Sequence, residues 1–305
     1  MLSDGSVDGR RVSRMRIAVG VKSATEARYY LENGAAEVYC GLVGMPNNRL
    51  PMENLQGVAH IRRVIALARR LKGRVFLALN DILPRAGYER TCGWIRSLTD
   101  AGLFGVILKD PAFMSFLKAT DLRPYITLST LSICFNSKAL EFFAGLGVSR
   151  VVLPMQMMPE NAGRLVRNGL AIETEVFCQP FYYGVNVDFL CSLPCPQTGR
   201  EKSARAEDFP CLLKFKHSQG GFYMPMPGPD YMLAAFYDYY KAGVQYVKVA
   251  RWPNSRRQMD LFWKVRRLLK LLDKGVSREA FIHHGRGVDS RPMQYGKSFT
   301  YKPIA

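Results

Sequence analysis

The chain contains no long apolar run. None of its hydrophobic stretches approaches the roughly 18 residues needed to cross a bilayer, which argues against a helical membrane span. Residues 1–16 are polar, with acids among the arginines, and so fit neither a secretory signal nor an organellar transit peptide. Histidine is scarce, and His60, His217, His283 and His284 show no metal-ligand spacing with one another. There is no His-Glu-x-x-His, no Gly-x-Ser-x-Gly and no evident Cys/His pair, which counts against an activated-nucleophile peptidase. These absences leave a folded, cytoplasmic protein. There its seven cysteines read as thiols, ligands or catalysts rather than disulfides.

Acidic residues are also in short supply. With 25 Asp and Glu against 43 Lys and Arg, the formal net charge is +18. Such a balance concentrates anions, whether RNA, phosphates, carboxylates or acidic membrane surfaces, without choosing among them. The charge is dispersed, as in Arg62-Arg63, Arg69-Arg70, Arg256-Arg257 and Arg266-Arg267, so a generic solvated surface and an anionic partner both remain open.

What is present first is a recurring turn. Asn33-Gly34 precedes Glu37-Val38-Tyr39, Ala101-Gly102 precedes Val106-Ile107-Leu108, Gly145-Leu146-Gly147 precedes Val151-Val152-Leu153, and Ala242-Gly243 precedes Tyr246-Val247-Lys248. Glycine takes the left-handed conformation cheaply, so each copy reads as a helix stop feeding a buried strand. Short apolar runs at 17–19, 75–79, 126–128 and 174–177 bring the predicted strands to eight. Between them lie helical patterns, such as Val58, Ile61, Val64, Ile65 and Ala68. Alternation from residue 16 to about 273 predicts an α/β fold, a TIM-like (β/α) barrel, with an open doubly wound sheet as the alternative. Residues 1–15 read as a flexible N-terminal segment, 16–273 as the barrel domain and 274–305 as a peripheral tail. The rhythm breaks at 178–229, an irregular insertion between the seventh and eighth strands rich in Cys, Pro, Gly and aromatics. In a barrel it belongs over the C-terminal face, where sites form.

Four cysteines fall in or at the edge of that insertion: Cys178, twelve residues, Cys191, three residues, Cys195, fifteen residues, Cys211. Thiolate quartets hold zinc or iron-sulfur clusters, and zinc sites favour two tight knuckles where this spacing has one. The spacing leans toward an iron-sulfur cluster, with small buried packing residues as the alternative. Cys40, at the end of the second strand, is the spare candidate, whereas Cys92 and Cys134 read as core.

Polar residues at strand ends add candidates. Asn80 follows the third strand, Lys109 and Asp110 the fourth and Asn136 the fifth, while Lys248 and Arg251 lie on or after the eighth. Asn80, Asn136, Lys248 and Arg251 are the predicted substrate contacts. Glu175, inside the seventh strand, needs a partner if it faces the interior, and Lys248 is the obvious one.

Val38-Tyr39-Cys40-Gly41-Leu42, Leu77-Ala78-Leu79-Asn80, Gly147 to Pro154, Glu173 to Phe177 and Val247-Lys248-Val249-Ala250-Arg251 occur in order. Over roughly residues 16–272 this ordered set resembles the peptidase U32 family. The resemblance implies a four-iron four-sulfur (4Fe-4S) cluster and oxygen-independent hydroxylation. Some family members act in ubiquinone biosynthesis as a heterodimer; others modify transfer or ribosomal RNA with prephenate implicated as hydroxyl donor. The chain is similar to the short members, which implies a small-molecule or quinone-precursor substrate, a prephenate-like anionic donor and hetero-oligomerisation with another U32-like protein. RNA hydroxylation, a peptidase and a non-catalytic iron-sulfur partner are the alternatives. Cys191, Cys195 and Cys211 fall where family ligands fall. Cys178 stands closer to its strand than the family pattern has it, and a V-type cysteine after the second strand keeps Cys40 open as the fourth ligand.

Overall fold

The computed structural model describes residues 15–47, 49, 51–178, 180, 214–217, 220–223, 228–251 and 254–288. Strands and helices alternate as β1 (Arg16–Gly20), α1 (Ala24–Glu32), β2 (Glu37–Cys40), α2 (Val58–Arg70), β3 (Arg74–Leu79), α3 (Tyr88–Asp100), β4 (Gly105–Leu108) and α4 (Pro111–Ala119). They continue as β5 (Tyr125–Leu128), α5 (Ser137–Gly145), β6 (Val148–Val152), α6 (Pro159–Val166) and β7 (Glu173–Phe177). After an antiparallel pair, β8 (Lys214–His217) and β9 (Gly220–Tyr223), come α7 (Pro229–Ala242), β10 (Tyr246–Val249), α8 (Ser255–Asp273) and α9 (Arg278–Val288). Strands β1–β7 and β10 close a parallel barrel in the order β1-β10-β7-β6-β5-β4-β3-β2. This is the (β/α) barrel predicted from the sequence.

The glycine turns explain the local folding. Gly34, Gly102, Gly147 and Gly243 all have φ between 90° and 105°, where a side chain would strain the backbone. Each ends a helix and aims the chain at the next strand.

Strand alternation sorts the side chains into two layers. Val19, Val38, Leu77, Val106, Leu128, Val151, Val176 and Val247 belong to the main core with the helices. The residues between them fill the lumen: Tyr39, Phe76 and Ile107 form one apolar cluster there, and Val152, Phe177 and Ala250 another.

Two places differ from the sequence reading. The segment read as a peripheral tail carries α9, which packs on α7 and α8 and buries Phe281 completely. The insertion, read as irregular, includes the β8–β9 hairpin, and most of its remaining residues lie outside those described.

The loop after β2 is tightly tied down. Leu55 N–H donates to Gly41 O and Val43 N–H to Leu55 O, both at 2.9 Å, while the Asn47 amide donates to the carbonyls of Leu42 and Met45. A Cβ on Gly41 would collide with Asn54 Oδ1 and come within 3.0 Å of Asn47. Gly41→Ala should therefore lose about 1–3 kcal/mol by overpacking, read as a lower midpoint in urea unfolding.

Candidate active site at the barrel mouth

The lower and middle lumen is ionic where barrels of this kind usually pack branched aliphatic residues. Arg150, 1% exposed, is its hub. Its guanidinium pairs with Glu37 through both nitrogens, reaches Glu175 Oε2 at 3.0 Å and Glu173 Oε2 at 3.4 Å, and stacks 3.4 Å from the centre of the Tyr246 ring. Glu175 passes the contact upward, because its other oxygen accepts from Lys248 Nζ at 2.6 Å. Lys248 in turn lies 4.1 Å from the centre of the Tyr39 ring, and the Tyr39 hydroxyl donates to Val249 O. A chain of alternating charge thus runs Glu37, Arg150, Glu175, Lys248, rising toward the C-terminal mouth.

Register explains why these residues meet. Tyr246 pairs with Glu175 across β10 and β7, and Val152 with Glu175 across β6 and β7, so Arg150, Glu175 and Lys248 stand on three neighbouring strands. The predicted Glu175–Lys248 pair is therefore present. Arg150 and Glu37 were missed, although a lone charge inside each of two apolar strands was the available signal.

Electrostatics follow from this packing. Burial pushes the Glu175 carboxyl up, but Lys248 and Arg150 together outweigh it and hold its pKa below the usual carboxylate range. The folded pKa thus lies below the unfolded value of about 4.3, so the stabilisation is full at neutral pH and is lost as pH falls through the folded value. The stability gap between wild type and Glu175→Gln should accordingly narrow in denaturant titrations run from pH 7 down to pH 3.

Other predicted residues take distinct places. Asn80 is half-buried at the end of β3 and, by alternation, on the lumen side. Lys109, at the end of β4, is fully buried with Nζ 3.7 Å from Asp81, and Asp110 caps α4 while also accepting from Leu83 N–H. Arg251 turns to the helix side: it pairs with Gln258, approaches Glu26 at 3.7 Å, and Gln258 donates to Gly20 O. With Ser255 donating to Glu26 at 2.7 Å, these contacts join the β1–α1 and β10–α8 loops where the barrel closes. Asn136 is exposed and caps α5 by accepting from Ala139 N–H at 2.9 Å. Asn136→Ala should cost about 0.5–2 kcal/mol by calorimetry through loss of that cap.

Of the predicted metal ligands, Cys178 directly follows β7, and the alternative Cys40 is the last residue of β2. Both are free thiols buried with the helix-facing core, and burial raises both, Cys40 to about 12. Cys92 and Cys134 are buried free thiols as well. Cys191, Cys195 and Cys211 lie outside the described residues. Among the described residues no group of three His, Cys, Asp or Glu could hold a metal ion, and no helix is long and apolar enough to cross a membrane.

An eight-stranded parallel barrel with a polar C-terminal mouth defines a scaffold that carries its site on the loops after the strands. Residues 22–181 match the profile of peptidase family U32, and the chain belongs to that family. Among solved structures, the U32 peptidase Mk0906 is similar at 10% identity and a TM-score of 0.52, over 82% of this chain and 98% of that one. A 2,3-dimethylmalate lyase of the PEP mutase/isocitrate lyase superfamily is 8% identical with a TM-score of 0.42, over 90% and 91% of the two chains. A dipeptide epimerase from Enterococcus faecalis V583 is 15% identical with a TM-score of 0.39, over 55% and 48%. No curated protein matches the chain.

Proposed function

We propose that this U32-family protein is an iron-sulfur-dependent, oxygen-independent hydroxylase, or an accessory subunit of one, acting on a small molecule such as a quinone precursor. The supporting observation is the position of Cys178. It is a free thiol at the C-terminal end of β7, and the chain leaves it directly for the stretch that carries Cys191, Cys195 and Cys211. A soft donor at a strand end suits a thiolate-ligated cluster in kind. Burial opposes the free thiolate at Cys178, so ligation there would release a proton and offset the burial cost with the metal charge. The ligand set proposed is Cys178, Cys191, Cys195 and Cys211, with Cys40 as the alternative to Cys178. When bound, a 4Fe-4S cluster supplies electrons or an open iron site.

The protein's own residues supply the rest. Lys248, fixed by Glu175 and Tyr39, holds a positive charge near the floor of the mouth, where a carboxylate substrate or a prephenate-like donor would be oriented. Asn80 offers a neutral polar contact at the end of β3, while Arg251 and Asn136 act from the rim through the loops they pin. Incubation of the anaerobically purified protein with quinone-ring precursors and a candidate donor tests the reading, alone and with a second U32-type protein. Hydroxylated product formed without dioxygen and only by iron-loaded protein is expected; turnover only in air, or only peptide hydrolysis, would sink it.

A second reading, RNA hydroxylation, is favoured by the net charge of +18. It requires RNA binding that weakens steeply with salt.

A further inference from the structure

Cations around the mouth are mostly balanced one by one. Lys109 lies 3.7 Å from Asp81, Lys248 2.6 Å from Glu175 and Arg251 3.7 Å from Glu26. Arg49 is different. Among the described residues no carboxylate lies within 4 Å of it, and there its Nη1, like Nε and Nη2 of Arg251, is shielded from solvent with no hydrogen-bond partner. A guanidinium cannot discard its charge, so a buried donor left unmade is a standing cost unless something completes it.

Its setting indicates what would complete it. Arg49 Cζ lies 4.9 Å from the centre of the Tyr39 ring, the same lumen-facing ring that Lys248 Nζ approaches at 4.1 Å. Two cations thus share one aromatic side chain, and among the described residues only Lys248 has a carboxylate of its own. The loop carrying Arg49 is tied at residues 41–47 and 55 by the Gly41–Leu55 and Asn47 hydrogen bonds, and Arg49 N–H donates to Asn47 O at 3.0 Å. Asn47 Oδ1, two residues away, is a buried acceptor that also has no partner among the described residues. An uncompensated donor and an unfilled acceptor two residues apart on one loop match a ligand that carries an oxyanion and a hydroxyl.

We propose that Arg49 is the primary oxyanion-binding residue of the mouth, seating a carboxylate or phosphate group of a small hydroxylated anion, with Lys248, on the same Tyr39 ring, as the second positive charge and Asn47 accepting the ligand hydroxyl. This rests on the mouth being the substrate face, as the proposed function has it.

Isothermal titration of the full chain with malate, malonate and inorganic phosphate, at low and moderate salt, tests it. Wild type is expected to bind at least one of the three, with malate tighter than malonate because only malate carries the hydroxyl. Tighter binding of phosphate than of both dicarboxylates would assign the seat to a phosphoryl group. Arg49→Met should weaken binding at least tenfold, Arg49→Lys should retain part of it, and Arg28→Met, at an exposed helix position, should leave it unchanged. Melting curves of each variant separate lost binding from lost folding; if Arg49→Met fails to fold, the wild-type, Arg49→Lys and Arg28→Met comparison decides. Wild-type binding of none of the anions, or Arg49→Met binding as wild type does, overturns the proposal. Iron content measured on the same samples keeps the two readings apart. Anion binding by protein that never takes up iron sustains the oxyanion seat and removes the cluster, whereas iron-loaded protein that binds no anion does the reverse.

Discussion

Replacing Arg150 by Met should destabilise the barrel by about 3–5 kcal/mol, the cost of leaving buried carboxylates without their counter-charge. Glu37 is 2% exposed and Glu175 1%, and Arg150 lies between them. Glu175 would keep Lys248, but Glu37 would face the lumen alone among the described residues. The thermal midpoint should drop by on the order of 10 °C, if the variant accumulates as folded protein at all. Adding Glu37→Gln to Arg150→Met should recover part of the loss, because it removes the stranded charge. That non-additivity distinguishes an ionic hub from simple loss of side-chain volume. A loss below about 1 kcal/mol for Arg150→Met would show that the lumen tolerates the unpaired carboxylates and that the charge chain does not organise it.

The second large effect concerns the cysteines. Cys191→Ala or Cys195→Ala should abolish cluster binding, because a thiolate cage that loses one of four soft donors rarely retains its iron. The measurement is iron and acid-labile sulfide per chain after anaerobic purification, together with the visible absorbance of the cluster. Cys92→Ala is the control: Cys92 is buried on α3 in the main core, so its loss should lower stability through a small cavity and leave the iron content unchanged. Comparing Cys178→Ala with Cys40→Ala tests which of the two is the proposed fourth ligand. Only the true ligand should bleach the protein. Loss of iron on Cys92→Ala but not on Cys191→Ala would refute the assignment.

The barrel was legible because its signals are local. Gly34, Gly102, Gly147 and Gly243 mark helix ends through backbone sterics alone, and the short apolar strands need no knowledge of their neighbours. Glu175 could be paired with Lys248, 73 positions away, on different grounds: a charge inside an apolar strand demands a partner and few were available. Arg150 and Glu37 meet 113 positions apart, and nothing local states that their strands face each other across a lumen. Arg251 and Asn136 illustrate a different limit. Both follow strands, the usual address of a binding residue, yet Arg251 turns toward α1 and α8 while Asn136 satisfies the first turn of α5. An Asn followed by Ser and a helical run is also a capping signal, and that signal was present in the sequence. The helix α9 was obscured because its apolar face is reduced mainly to Phe281, and its docking depends on α7 and α8 being in place.

The central claim is that the cysteines at and beyond the end of β7 hold an iron-sulfur cluster. Mössbauer spectroscopy of protein purified anaerobically and enriched in iron-57 tests it most directly. The expected result is a brown protein with about four iron and about four sulfide per chain and the quadrupole doublet of a 4Fe-4S cluster. A colourless protein that binds only zinc, or binds no metal, would contradict it.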